Sequence, residues 1–275
     1  MYTQHWGLAR HPFENRTSAE FFFRSGTHQA NLLKLRYVVE NGLGAGLLTG
    51  GIGYGKTFLA NQLCHELPDE FGPCVQVVFP QLTAPELFAY LAVELGADET
   101  RIGRGTGDFD RTIRQIEQRL QSLSSESKHP IIVIDEAHLI DDPQVLQTLQ
   151  LLLNFQQRPN VAFTLLLVGE RPLLGQVGRI AALDARIGVK ALLKPLSYDE
   201  TIGYVKHRLE VAGATDELFD QSALHSLFEL SGGVPRRINR LCDLSLLVGY
   251  AERLQRLTAN EVADVDAELT ALTPS

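Results

Sequence analysis

Eight consecutive residues, Gly50-Gly51-Ile52-Gly53-Tyr54-Gly55-Lys56-Thr57, fill every fixed position of the pattern G-x-x-x-x-G-K-[ST]. The residue types suit a phosphate. Glycines let successive backbone N–H groups turn inward around an anion. Lys56 brings a point charge to the outer phosphates, and the Thr57 hydroxyl can ligate Mg²⁺. The pattern has this meaning only between a strand and a helix. Ala45–Thr49 is a short apolar run that reads as a buried strand, and residues 56–67 carry Phe58, Leu59, Leu63 and Leu67 at helical spacing before Pro68. The positive end of that helix adds to the cradle.

A second constellation lies at 131–136. Ile131–Ile134 is apolar throughout and ends in Asp135 and Glu136. In a parallel sheet, ligands bind beyond the carboxyl ends of the strands. Asp135 can hold Mg²⁺ there, usually through water, and Glu136 can polarise a water that attacks a γ-phosphate. His138 reads as a surface residue at a helix start. Asp141 and Asp142 read as caps of a helix opening at Pro143.

The remaining elements must place these two stretches side by side. Residues 75–79, 161–168 and 189–193 read as further strands, and 85–95, 108–123 and 143–155 as helices. Strands without polar alternation that alternate with helices predict a parallel sheet covered on both faces. Beyond Pro195 the texture changes to helices over 197–212, 220–231, 235–253 and 259–269, with Ser197 and Glu200 spaced as a capping box. The expected organisation is an α/β core over residues 1–195 and a helical lid over 196–275.

Composition narrows the function classes. Of 275 residues, 44% are hydrophobic and 21% charged, an ordinary globular mixture. Lys and Arg number 25 against 33 Asp and Glu, and a net charge of −8 argues against coating nucleic acid or anionic lipid by bulk charge. Cys64, Cys74 and Cys242 match no disulfide framework or zinc spacing, so free thiols in a reducing compartment are expected. No apolar run approaches the ~18 residues of a membrane span. The first sixteen residues lack the apolar stretch of a signal peptide. A soluble, cytoplasmic protein without membrane insertion is the expectation.

Together, Gly50–Thr57, Ile131–Glu136 and the trailing helices resemble the AAA+ ATPases. Further wording resembles one branch, the ExeA-type ATPases (general secretion pathway protein A), related to transposition-accessory and origin-recognition ATPases. It comprises Trp6-Gly-Leu and His11-Pro-Phe13 near the start, IDEAHLI at 134–140, LLLVGERPLL at 165–174 and GGVPRRINRLCD at 232–243. The resemblance covers about residues 5–265. It implies a P-loop NTPase fold of the AAA+ type, with a parallel sheet flanked by helices and a C-terminal helical lid. It also implies hydrolysis of ATP to ADP and phosphate with Mg²⁺. Gly50, Gly51, Ile52, Gly53, Tyr54, Gly55, Lys56, Thr57, Phe58 and Arg236 then bind the nucleotide, and Thr57 and Asp135 hold the metal. Glu136 and Arg186 are catalytic. Arg186 falls on the family's arginine finger, which reaches a neighbouring subunit's γ-phosphate, and Arg236 in Gly233-Val-Pro-Arg236 falls on its sensor 2. A homo-oligomer follows, driving assembly or a conformational switch in a secretion- or pilus-type complex. Its client is then a protein, which can be membrane-associated. The alternative is an ATP-dependent DNA-binding regulator of transposition or replication type, touching DNA through the lid arginines Arg236, Arg237, Arg240, Arg253 and Arg256. Phe13, Phe21, Phe22 and Phe23 fall where the family forms its adenine pocket, and read equally as core. One position departs from the pattern: Glu170 follows Gly169 where the family usually carries a neutral polar sensor.

Overall fold

Short apolar runs with no polar face cannot sit at a surface, and here they form the middle of a sheet. The computed structural model describes residues 2–15, 18–102 and 108–271; Met1 and Arg16, which bound the N-terminal stretch read above, lie outside them. In chain order the elements are α1 (Tyr2–His5), α2 (Gly26–Glu40), β1 (Ala45–Thr49), α3 (Lys56–Glu66), β2 (Cys74–Val77), α4 (Ala84–Glu94), α5 (Phe109–Ser125), β3 (Ile131–Ile134), α6 (Pro143–Leu152), β4 (Thr164–Gly169), α7 (Pro172–Gly178), α8 (Ala181–Asp184) and β5 (Ile187–Leu192). Four helices then follow without a strand: α9 (Tyr198–Val211), α10 (Gln221–Ser231), α11 (Pro235–Ala251) and α12 (Ala259–Ala271).

The five strands are all parallel, in the order β2-β3-β4-β1-β5. Every residue of β1, β3 and β4 is buried, whereas the edge strands β2 and β5 are buried only in part. That gradient is the one expected of a sheet covered on both faces. The register sets Thr49 opposite Gly169 and Ile134 opposite Leu167, so the residues that follow β1, β3 and β4 emerge at one end. β4 separates the phosphate-loop strand from the acidic strand. Leu47, Ile132, Ile134, Leu165 and Leu167 join Phe88, Leu91, Ile116 and Leu149 of the helices in one core. Burying each such side chain is worth about 1.5–3 kcal/mol.

The chain forms two compact units. One comprises Ala30–Ile52 and Lys56–Leu193; the other comprises Met1–Gln29, Gly53–Gly55 and Lys194–Ser275. The N-terminal segment groups with the helices that follow residue 194. Its apolar side chains are the reason. Tyr2, Trp6, Leu8 and Phe13 lie in one hydrophobic cluster with Leu209, Phe219, Leu241 and Leu257. Trp6 Nε1 donates to the Leu246 carbonyl at 2.9 Å. Arg208, only 2% exposed, donates to the carbonyls of Pro12 (2.6 Å) and Glu14 (2.7 Å) and lies over the Phe21 ring. Phe13 is therefore core.

Two further features differ from expectation. α2 is not among the helices read from the sequence. Its buried face carries His28 and Asn31 beside Leu32, Leu35 and Val39, so two polar positions break the apolar period. The expectation of three free thiols holds for Cys242 alone, which is buried. Cys64, near the end of α3, is disulfide-bonded to Cys74, the first residue of β2, with Cα atoms 6.2 Å apart. The return from helix to neighbouring strand brings them together, which spacing alone does not reveal. The thiol count thus no longer argues for a reducing compartment. Among the described residues, no helix is long and apolar enough to cross a membrane.

Candidate nucleotide site

The phosphate pattern stands in the context its chemistry requires. β1 ends at Thr49, a turn occupies residues 50–55, and α3 begins at Lys56. Gly53 and Gly55 have φ of +76° and +89°, values that side-chain-bearing residues rarely adopt. Space is also restricted: a Cβ on Gly53 would meet Arg236 Cβ at 2.7 Å, and one on Gly55 would meet His28 Nε2 at 3.2 Å. Ile52 is the loop's exposed residue, Gly51 and Tyr54 are half-buried, and Phe58 is half-buried in the first turn of α3. Gly50 N–H donates to the Gly169 carbonyl at 3.3 Å. Lys56 is buried, and its ammonium donates to the Gly51 carbonyl at 3.1 Å. Among the described residues it has no ion pair, so the loop holds an uncompensated cation beside the first turn of a helix. Both features favour an anion.

Asp135 follows β3 and is 3% exposed. Its Oδ2 accepts from the Thr57 hydroxyl at 2.6 Å and its Oδ1 from Glu136 N–H at 2.9 Å. A hydroxyl and a carboxylate form a hard oxygen donor pair, the set Mg²⁺ prefers, so the residues present fit that ion. Glu136 sits at φ +49°, ψ +32°, the left-handed region. This conformation costs on the order of 1–3 kcal/mol for a residue with a Cβ. The Glu136 side chain is partly exposed.

The other expected residues stand as follows. Arg236 is exposed in the first turn of α11, behind Pro235, and its N–H donates to the Gly53 carbonyl at 3.2 Å. Arg186, between α8 and β5, is half-buried; its guanidinium donates to the Leu153 carbonyl at 3.1 Å and to Asn154 Oδ1 at 2.8 Å. Of the lid arginines, Arg237 pairs with Asp266 and Arg256 with Glu217.

One histidine, His28, escaped the sequence reading, and another, His138, stands differently from it. His138, read as a surface residue, lies between Glu136 and Glu170, 3.3 and 3.4 Å from their carboxylates. His28 is buried beneath the loop: Nε2 donates to the Tyr54 carbonyl at 2.9 Å, and Nδ1 meets Ser25 Oγ at 2.8 Å. Burial holds its pKa below the ordinary value, against the raising effects of the Tyr54 carbonyl and the Glu200 charge. No spacing rule flags a lone histidine in a helix; the IDEAHLI wording was the one available pointer to His138.

The AAA domain family matches residues 40–177. General secretion pathway protein A of Aeromonas hydrophila is 32% identical over 267 residues, 96% of this chain and 47% of that protein. The chain spans less than half the length of the curated relatives it matches. Among solved structures, the ORC2 protein of Aeropyrum pernix, in its ADPNP–ADP complexes, superimposes with a TM-score of 0.72 at 17% identity, covering 97% of this chain and 73% of that one. The RuvB Holliday junction branch migration motor of Thermotoga maritima gives 0.65 at 21% identity, over 94% of this chain and 73% of its own. At these identities the structural likeness is one of fold.

Proposed function

Because this chain belongs to the AAA domain family, as an AAA+ P-loop ATPase, we propose that it couples Mg²⁺-dependent ATP hydrolysis to a conformational or assembly switch in a secretion- or pilus-type complex. The observation that carries this is the 2.6 Å bond between Thr57 and Asp135, which joins the phosphate loop to the acidic strand end. The loop amides and Lys56 take the phosphate oxygens. Thr57 and Asp135 hold Mg²⁺, which when bound neutralises charge on the phosphates. Glu136 orients the attacking water and accepts its proton, and Arg236 keeps the sensor 2 role that the resemblance assigns it. Arg186 completes a neighbouring subunit's site, which makes hydrolysis depend on oligomerisation.

The protein client is inferred from the secretion role that the name of the Aeromonas relative states for that protein. The ion pairs of Arg237 with Asp266 and of Arg256 with Glu217 weigh against the alternative, DNA held on the lid arginines, because paired guanidiniums are less available to phosphates. Glu136→Gln tests the chemistry: ATP stays bound while turnover stops. Undiminished turnover would remove Glu136 as the base. ATP-dependent, salt-sensitive retardation of duplex DNA would overturn the protein-client reading.

A further inference from the structure

We infer that His28 is a positioning residue for the phosphate loop: it holds the Tyr54 carbonyl so that the Gly55 N–H faces the phosphate chain of the nucleotide. The inference rests on residues 50–57 being the loop that grips ATP.

The hydrogen on the ring is placed by its neighbours. A carbonyl oxygen can only accept, so the 2.9 Å contact between His28 Nε2 and the Tyr54 carbonyl puts that hydrogen on Nε2. Nδ1 then accepts from the Ser25 hydroxyl, 2.8 Å away. Burial lowers the pKa of the ring, which favours this neutral form. Ser25 Oγ also accepts from the His28 N–H at 3.3 Å, so one hydroxyl fixes both the backbone and the ring. Ser25 and His28 are both buried, and water does not compete for these bonds. A Cβ on Gly55 would stand 3.2 Å from His28 Nε2, so the ring lies directly against the chain it holds. Ser25, His28 and Gly53–Gly55 belong to one compact unit.

The consequence comes from the peptide bond. The Tyr54–Gly55 peptide is trans, so its C=O and N–H point to opposite sides of the chain. With the carbonyl drawn to His28, the Gly55 N–H points away from the ring. The preceding peptide is pinned likewise. Its Gly53 carbonyl accepts from the Arg236 N–H at 3.2 Å, which turns the Tyr54 N–H away from α11. Among the described residues neither N–H has a hydrogen-bond partner. Two amide donors are thus left open beside glycines at positive φ, the backbone form of an anion nest. Without an anchor such a peptide can flip, because glycine tolerates many backbone conformations. A flipped Tyr54 carbonyl would turn a negative oxygen toward the phosphates. The His28 bond removes that alternative before ATP arrives, so the loop is ordered in advance of binding.

The test uses the full chain with His28→Ala, His28→Gln, His28→Asn and Lys56→Ala, measuring ATP and ADP affinity by calorimetry, steady-state turnover and thermal unfolding. Glutamine sets its amide where Nε2 stands and asparagine where Nδ1 stands, so only glutamine can donate to Tyr54. His28→Ala is expected to weaken ATP and ADP by about tenfold, the worth of one net hydrogen bond. It should raise KM with kcat held within about twofold, because the loop grips substrate and transition state alike. His28→Gln recovers most of the affinity and His28→Asn little. A ring that only packs the fold would lower the unfolding temperature and leave the affinity of the folded protein unchanged. That result in His28→Ala, alongside a Lys56→Ala that has lost ATP, overturns the inference and keeps the phosphate loop. Wild-type ATP affinity in Lys56→Ala overturns both. Greater recovery by asparagine than by glutamine also overturns the inference, and that order decides alone if the alanine variant fails to fold.

Discussion

The Thr57 hydroxyl donates across 2.6 Å to the carboxylate of Asp135, 78 positions further along the sequence. Asp135 is buried, so this bond satisfies a charge that would otherwise be left with Glu136 N–H at 2.9 Å and Gln76 Nε2 at 3.5 Å. Thr57→Val keeps the shape and removes the hydroxyl. It is expected to cost about 1–3 kcal/mol in urea unfolding, the penalty for an under-satisfied buried group. It should also abolish the tightening of ATP binding by Mg²⁺ while leaving Mg²⁺-free binding nearly unchanged. Calorimetry with and without Mg²⁺ reads this directly, and a Thr57→Val protein that keeps its full Mg²⁺ dependence would remove Thr57 from the metal site.

Gly233 precedes the turn into α11 at φ +71°; its N–H donates to Ser231 Oγ at 3.2 Å, and its carbonyl accepts from Leu196 N–H at 2.8 Å. A Cβ there would stand 2.0 Å from the Leu196 carbonyl oxygen. Both the backbone and the space exclude a side chain. Gly233→Ala is expected to destabilise the protein by about 2–4 kcal/mol. Gly232→Ala shares the positive φ but meets nothing within 4 Å, so its cost in the same unfolding assay should be clearly smaller. Equal costs for the two would show that backbone conformation, not the Leu196 contact, sets the penalty.

Burial lowers the pKa of His28, His129 and His207 from the ordinary 6.5. Between each folded value and 6.5 the unfolded chain binds more protons than the folded one, so stability rises with pH there. The contribution is fully present above pH 6.5 and is lost as pH falls through the folded values. Glu86, Asp220 and Glu261 are also lowered, from ordinary values of 4.5, 3.8 and 4.5, and act only at more acid pH. Urea midpoints measured between pH 7.5 and 5 should therefore fall on acidification. His28→Gln should flatten part of that slope, and an unchanged slope would show that His28 is not among its causes.

The sequence was most legible where one physical signal stood alone. The apolar runs Ala45–Thr49 and Ile131–Ile134 became strands with those bounds, because burial on both faces leaves no polar residue to confuse the period. Asp142 caps α6 through Gln144 N–H, and Ser197 with Glu200 forms its capping box, because caps are local. Legibility failed where tertiary contacts put polar groups inside. His28 and Asn31 hid α2, the pairing of Cys64 with Cys74 depended on a helix-to-strand return, and His138 took its meaning from Glu170, 32 residues away. The grouping of Phe13 and Trp6 with α9–α12 was likewise invisible, since apolar residues do not declare which core they join.

Arg186 is the residue whose two readings differ most in consequence. Its guanidinium is tied to Leu153 O and Asn154 Oδ1 within its own unit, which suits a clamp between the strand-entry turn and the segment after α6. A finger role requires it to let go of those partners when a neighbouring subunit presents ATP, exchanging a carbonyl and an amide for phosphate oxygens, a stronger charge-assisted contact. Arg186→Ala is then expected to bind ATP normally and to lose turnover by about 10²-fold or more, within the range known for arginine fingers. Mixing supplies the sharper measurement. Arg186→Ala subunits retain Glu136, and Glu136→Gln subunits retain Arg186, so a mixed oligomer rebuilds complete sites between the two inactive variants, and turnover should reappear on mixing. A clamp predicts instead that Arg186→Ala unfolds at lower temperature, keeps its turnover per folded molecule at every protein concentration, and gains nothing from the partner variant.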